Sequence, residues 1–217
     1  MKVGILGTGD VGRALGTGFV QFGHDVLIGA RKAGNEKATA FVKQAGPKAS
    51  AGTFADAVKF GDVIVLATLW TGTKDAIELA GGAQAFAGKV VLDVTNPLDF
   101  SKGRPPRLAL GNDDSGGEQV QRWLPGAKVV KAFNIVGHAF MVNPRFPEGL
   151  PDMFICGNDE GAKRTAGEIC RQFGWPPVID IGGIEGARVL EPLCILWVAY
   201  GIKTNTWNHA FKLLRKE

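Results

Sequence analysis

Near the start of the chain, Gly7-Thr-Gly-Asp-Val-Gly12 has the spacing of a loop that cradles a diphosphate. Gly7 permits a tight turn, Gly9 lets an anion approach bare backbone, and Gly12 lets a helix pack closely on a strand. The motif is weak by itself in a chain with 31 glycines. Its surroundings strengthen it. The apolar run from Lys2 to Leu6 precedes it, Val11, Leu15, Phe19 and Phe22 follow at helical spacing, and a second apolar run starts at Asp25. A helix opening at the loop offers free N–H groups and partial positive charge to the diphosphate. Thr8, Asp10 and Val11 complete the candidate contacts, and Thr8 has the reach for a ribose or its phosphate.

The end of the second strand selects the cofactor. NAD-binding loops of this kind place an acidic residue about 20 positions on, to bond the ribose 2′-hydroxyl. Here the segment reads Gly29-Ala-Arg-Lys32, with no carboxylate. Arg31 can fork onto a 2′-phosphate and Lys32 adds a point charge. One charge-assisted hydrogen bond is worth about 1.5–3 kcal/mol, so the sequence predicts NADP over NAD. The remaining strand ends are candidate walls of a nicotinamide pocket. They read Thr68-Leu69-Trp70, Thr95-Asn96-Pro97 and Phe133-Asn134. Thr and Asn side chains there can orient a carboxamide. Trp70 can cover a ring or pack under a loop.

Catalytic groups are scarce. Of three histidines, His24 reads as structural and His209 falls on the last expected helix. His138 follows Asn134 at one helical turn's spacing and can reach the pocket. No Ser-His-Asp or Cys-His pattern and no metal-ligand cluster is legible, so no catalytic side chain is assigned. Carbonyl reduction needs a proton donor, whereas hydride transfer to a flavin-like ring needs mainly the alignment of two rings. A pocket of apolar, Thr and Asn residues suits the second task. Two other readings stay open: an NADPH-binding sensor without turnover, and a small-carbonyl or imine reductase with His138 as donor.

These residues need a frame. Strands at 2–6, 25–28, 62–67, 89–94 and 127–133 alternate with helices and are apolar on both faces. That pattern predicts a Rossmann-type, doubly wound parallel sheet. The expected division is a dinucleotide-binding domain at 1–140 and a small C-terminal α/β domain at 141–217. Further expectations are a strand at 153–156, a helix capped by Asp159 through Gln172, and a strand at 177–181. An apolar helix over 185–200 should be kinked or broken at Pro192, and a last helix should cover 205–214. Residues 99–117 read as a long loop rich in Pro, Gly, Asn, Asp and Ser. The net charge of +4 is scattered, which disfavours a nucleic-acid surface and suits an anionic cofactor. Three cysteines without a CxxC pair suit a reducing cytoplasm. No run is long and apolar enough to span a bilayer, and the chain opens on a strand, not on a signal peptide.

Several segments together resemble one family. They are Gly7–Gly12, Gly23-His24, Gly29-Ala-Arg31, Asn96-Pro-Leu98, Lys131-Ala-Phe-Asn134, Cys156-Gly-Asn-Asp159, and Gly186-Ala-Arg188 through Glu191. The chain is similar along nearly its whole length to the NADPH-dependent F420 reductases, relatives of the cytosolic domain of six-transmembrane metalloreductases. The resemblance implies hydride transfer between NADP and a deazaflavin or flavin (F420, FMN or FAD) lying over the nicotinamide. It implies 2′-phosphate contacts at Arg31, Lys32 and Asn35. Ala30 stands where the family commonly has Ser, Leu69 where a Pro tends to precede the Trp, and Asn134 where some members have His. The helices around Trp197 and Tyr200 would form one wall of the acceptor site or the contact of a homodimer.

Overall fold

The computed structural model describes residues 1–216. Its centre is an eight-stranded sheet whose inner strands are buried runs rich in Val, Ile and Leu. In chain order the elements begin with β1 (Lys2–Leu6), α1 (Asp10–Gln21), β2 (Asp25–Ala30), α2 (Glu36–Ala45), β3 (Ala49–Thr53), α3 (Phe54–Phe60) and β4 (Val63–Leu66). Next come α4 (Thr73–Leu79), α5 (Gly82–Ala85), β5 (Val90–Asp93), β6 (Leu98–Asp99), β7 (Arg107–Leu108), α6 (Gly116–Trp123) and β8 (Lys128–Lys131). The chain continues with β9 (Phe154–Gly157), α7 (Glu160–Gln172), β10 (Ile179–Asp180) and α8 (Ala187–Thr204). The sheet order is β10-β9-β8-β5-β4-β1-β2-β3.

Seven strand pairs form this sheet. All are parallel except β8 with β9. The exception has a local cause. The chain between these two strands contains no crossover helix, only a 3-10 turn at His138–Phe140, so the return strand runs the other way. From β1 the chain winds outward through β2 and β3, then crosses to β4 on the other side of β1. The order therefore reverses between β1 and β4, and a ligand crevice belongs outside the carboxyl ends of those strands. Alternate residues of β1 serve the two faces: Val3 and Ile5 join one apolar cluster with Phe19, Phe133 and Phe173, and Leu6 joins the other with Phe54, Phe86 and Leu190. Beyond residue 140, β9 and β10 extend this same sheet, and Cys170 of α7 and Phe173 just past its end enter the first cluster.

Three expectations need correction, and one strand was not anticipated. The segment 99–117 is not structureless: Arg107–Leu108 pairs with Leu98–Asp99 as the β6–β7 hairpin, and α6 begins at Gly116. The α8 helix runs unbroken through Pro192. Proline removes one backbone donor near the helix start, while buried Leu190, Glu191 and Cys194 hold that turn in place. No helix forms over 205–214. Asn205 takes a left-handed conformation (φ 51°) and ends α8, and the following residues are irregular. The edge strand β3 was not expected, because Ala49-Ser-Ala-Gly-Thr53 lacks the apolar β-branched residues that mark strands. Its pairing with β2 makes it one.

Candidate functional site

The glycine loop sits between β1 and α1 and is shaped by sterics at each glycine. Gly7 has φ +123°, and a Cβ there would lie 2.3 Å from the Ala67 carbonyl oxygen. A Cβ on Gly12 would lie 2.1 Å from the Gly7 oxygen. Only glycine fits either place. A Cβ on Gly9 would meet nothing within 4 Å. Gly9 faces the cleft, where an anion can approach the backbone. Asp10 opens α1 and pairs with Arg13 one turn on, which offsets a carboxylate beside the expected diphosphate.

The loop is one wall of a cleft of about 1070 Å³. Gly7, Thr8, Gly9, Asp10 and Val11 line it, as do Arg31, Lys32 and Asn35, then Thr68, Leu69 and Trp70, then Thr95 and Asn96. Three sequence-selected residues stay outside the lining. Gly12 is buried under the loop, Pro97 is buried against α6, and Asn134 lies behind Asn96. Arg31 and Lys32 are exposed, and no carboxylate pairs with either among the described residues. Arg31 reaches across the crevice: its Nη2 is 2.9 Å from where a Cβ on Gly72 would stand. Asn35 caps α2, its Oδ1 accepting from Ala38 N at 3.1 Å, which leaves its amide nitrogen free to donate to a ligand.

The other end is more apolar, with Val94, Leu98 and Phe100, and His138 also borders it. Thr95 is fixed on every side. Its N–H and hydroxyl both donate to Asp93 Oδ1, at 3.0 and 2.7 Å. The hydroxyl proton is thus used, and Thr95 Oγ1 can only accept from a ligand. Asn96 and Asn134 lock each other. Asn96 Nδ2 donates to the Asn134 carbonyl at 2.8 Å, and Asn134 Nδ2 donates to Asn96 Oδ1 at 3.0 Å. Trp70 stacks on Trp123 with centroids 5.4 Å apart while keeping an edge at the cleft.

Residues 2–97 match the family model described as NADP oxidoreductase, coenzyme F420-dependent. The chain is 34% identical to an F420-dependent NADP reductase of Methanocaldococcus jannaschii, over the full length of both. The chain belongs to this family. Metalloreductase STEAP3 of Rattus norvegicus is 34% identical over 88% of this chain, which corresponds to 36% of that protein. A crystal structure from Arthrobacter sp. FB24, provisionally described as an F420-dependent NADP reductase, superposes with a TM-score of 0.93. It is 38% identical, over 99% of this chain and all of that one. As a member of the F420-dependent NADP oxidoreductases, the chain is an NADP-dependent oxidoreductase.

This family member carries a buried ionic cluster directly behind the cleft wall, and the sequence reading assigned it no role. Lys131, at the end of β8, is fully buried. Its ammonium nitrogen donates to the Thr95 carbonyl and forms ion pairs with Asp93 Oδ2 and Glu191 Oε1, each at 2.8 Å. Burial pushes toward loss of the proton, but the two carboxylates prevail and hold Lys131 above the ordinary lysine range. Glu191 also accepts from Gly116 N at 2.9 Å and Gly117 N at 3.0 Å. The cluster therefore ties β5, β8, α6 and α8 to the residue that lines the cleft. Its signal was three charges inside apolar segments: Asp93 and Lys131 ending buried strands, and Glu191 within an apolar helix.

Proposed function

We propose that this protein binds NADPH across the cleft and transfers hydride between it and a deazaflavin of the F420 type. The observation that carries the reading is the pair of uncompensated cations, Arg31 and Lys32, at the end of β2, where NAD-binding sites keep a carboxylate. Open space over Gly9 and the free N–H groups at the start of α1 suit the diphosphate. Thr95 Oγ1, an acceptor only, suits the N–H of a carboxamide. When bound, the dinucleotide supplies the hydride. The chain's residues bind and orient it, and the apolar end with Leu98 and Phe100 gives a second planar ring a dry surface. The relative from Methanocaldococcus jannaschii carries F420 in its name, which supports that acceptor over FMN or FAD.

The reading extends to a homodimer in a reducing cytoplasm. Exposed Val189, Leu196 and Tyr200 on α8 supply an apolar face, and the three cysteines are free and buried. Anaerobic oxidation of NADPH, followed at its absorbance band against F420, FMN, FAD and ferric chelates, tests the activity. F420 should give the fastest oxidation. Tight NADPH binding with no oxidation by any of the four would overturn the reading in favour of a sensor.

A further inference from the structure

Transfer of hydride from NADPH to a deazaflavin moves two electrons and one proton to the acceptor ring. The reduced ring carries a second added hydrogen. NADPH, oxidised acceptor and one proton therefore give NADP⁺ and reduced acceptor. Alignment of the rings does not account for that proton. Four ionisable side chains line the cleft: Asp10, Arg31, Lys32 and His138. Asp10 stands at the glycine loop and is paired with Arg13. Arg31 and Lys32 stand at the end of β2, and neither guanidinium nor ammonium readily gives up a proton. His138 alone follows β8, on the side of the sheet that carries Thr95, Asn96 and Phe100.

The turn bearing His138 is built to hold it there. Gly137 packs close to an indole: a Cβ there would stand 3.0 Å from Trp197 Cζ2. Phe140 packs on Phe146 with centroids 4.7 Å apart. The preceding Val136 is buried, whereas His138 is exposed to the cleft, and its ring makes no hydrogen bond among the described residues. The element packed most closely on this turn is α1, whose only charged groups are Asp10 and Arg13. Behind Gly137, Trp197 carries His209 and, through it, Tyr200. Among the described residues no carboxylate pairs with the His138 ring, so its nitrogens are open to a ligand.

We propose that His138 is a catalytic residue for the F420 reaction. Its imidazolium donates the proton that accompanies hydride transfer and is recharged from solvent; in the reverse direction the neutral ring accepts that proton. The proposal rests on the functional reading above. Histidine is the side chain whose ordinary titration falls near neutrality, which suits both directions.

The test compares the intact protein with His138→Gln, using NADPH and F420 from pH 5.5 to 8.5. For the unmodified protein, kcat for F420 reduction should be highest at acid pH and fall through neutrality. The variant should lose that limb and about tenfold or more of its rate at pH 6, with NADPH affinity unchanged. A readout independent of turnover is imidazole NMR in the NADP⁺-saturated protein. Adding F420 should move the His138 signals and leave those of His24 and His209 in place. An unaltered pH profile in the variant, or unmoved His138 signals, would overturn the proposal alone. Failure of the unmodified protein to reduce F420 would overturn the functional reading and this proposal together.

Discussion

At the end of β2, Arg31 has a job only if an anion arrives. It is exposed, makes no ion pair among the described residues, and leans over the crevice toward Gly72. Reversing its charge should be selective. Arg31→Glu is expected to raise the NADPH dissociation constant by about tenfold or more while sparing NADH, measured by fluorescence titration of both. Equal effects on the two dinucleotides would remove the argument for phosphate recognition. Lys131 is the opposite case, a charge that meets no solvent. Removing it leaves two buried carboxylates facing one another. Lys131→Met should cost about 3–5 kcal/mol in urea denaturation, and a loss under about 1 kcal/mol would show that the cluster does not hold the wall together. The NADP preference was legible from Arg31 because it needs only a residue type at a strand end. The partners of Lys131 lie 38 residues before it and 60 after it in the sequence, where no local pattern links them.

Elements act here through what their ends bond. In the glycine loop, the two ends of the motif should respond differently to one methyl group. Gly12→Ala drives a Cβ into the Gly7 carbonyl and should lower both stability and NADPH binding. Gly9 has extended backbone (φ −71°, ψ −178°) and open space around it. Gly9→Ala should change stability by no more than about 1 kcal/mol yet cost at least about tenfold in NADPH affinity. Calorimetry beside binding titrations separates the two. Helix α6 depends on polar partners at its start. Ser115 Oγ accepts from Glu118 N, and Glu118 is bonded by Arg188. The Arg188 hydrogen bond, helped by Ser115 against a burial cost, holds the Glu118 carboxyl below the usual range. Its contribution is therefore complete above the unfolded carboxyl pKa and lost as pH falls through the lower folded value. Glu118→Gln should cost about 1 kcal/mol at pH 7 and progressively less as the pH is lowered below the usual carboxyl range, by denaturant unfolding at each pH. Two glycines at the head of α6 concealed it from sequence reading, and the carboxylate that satisfies them belongs to α8.

Across the whole molecule, the sheet joins the two ends of the chain, and the C-terminal segment closes over α8. Trp207 packs on Trp197 at 5.2 Å between centroids, and Trp197 Nε1 donates to the His209 carbonyl at 2.8 Å. Farther on, Asp152 N donates to the Phe211 carbonyl at 2.9 Å, and Leu213 N to Asp152 Oδ2 at 2.8 Å. These bonds draw the backbone away from a helix, which is why the expected one does not form. Ending the chain at Asn205 should cost roughly 2 kcal/mol, or roughly 4–8 °C in melting temperature, while NADPH still binds. An unchanged melting temperature would show that the segment adds nothing.

The sequence by itself determined the β1-loop-α1 unit, the strands apolar on both faces, the cap at Asp159, and the cationic end of β2. Each depends on neighbours within about one or two turns, where spacing and residue type are sufficient. Tertiary structure alone decided the reversed strand β9, the edge strand β3, the start of α6, the irregular course after Asn205, and the three acceptors around Lys131. In each of these a polar group or a backbone edge finds its partner across many residues, and only folding brings the two within bonding distance.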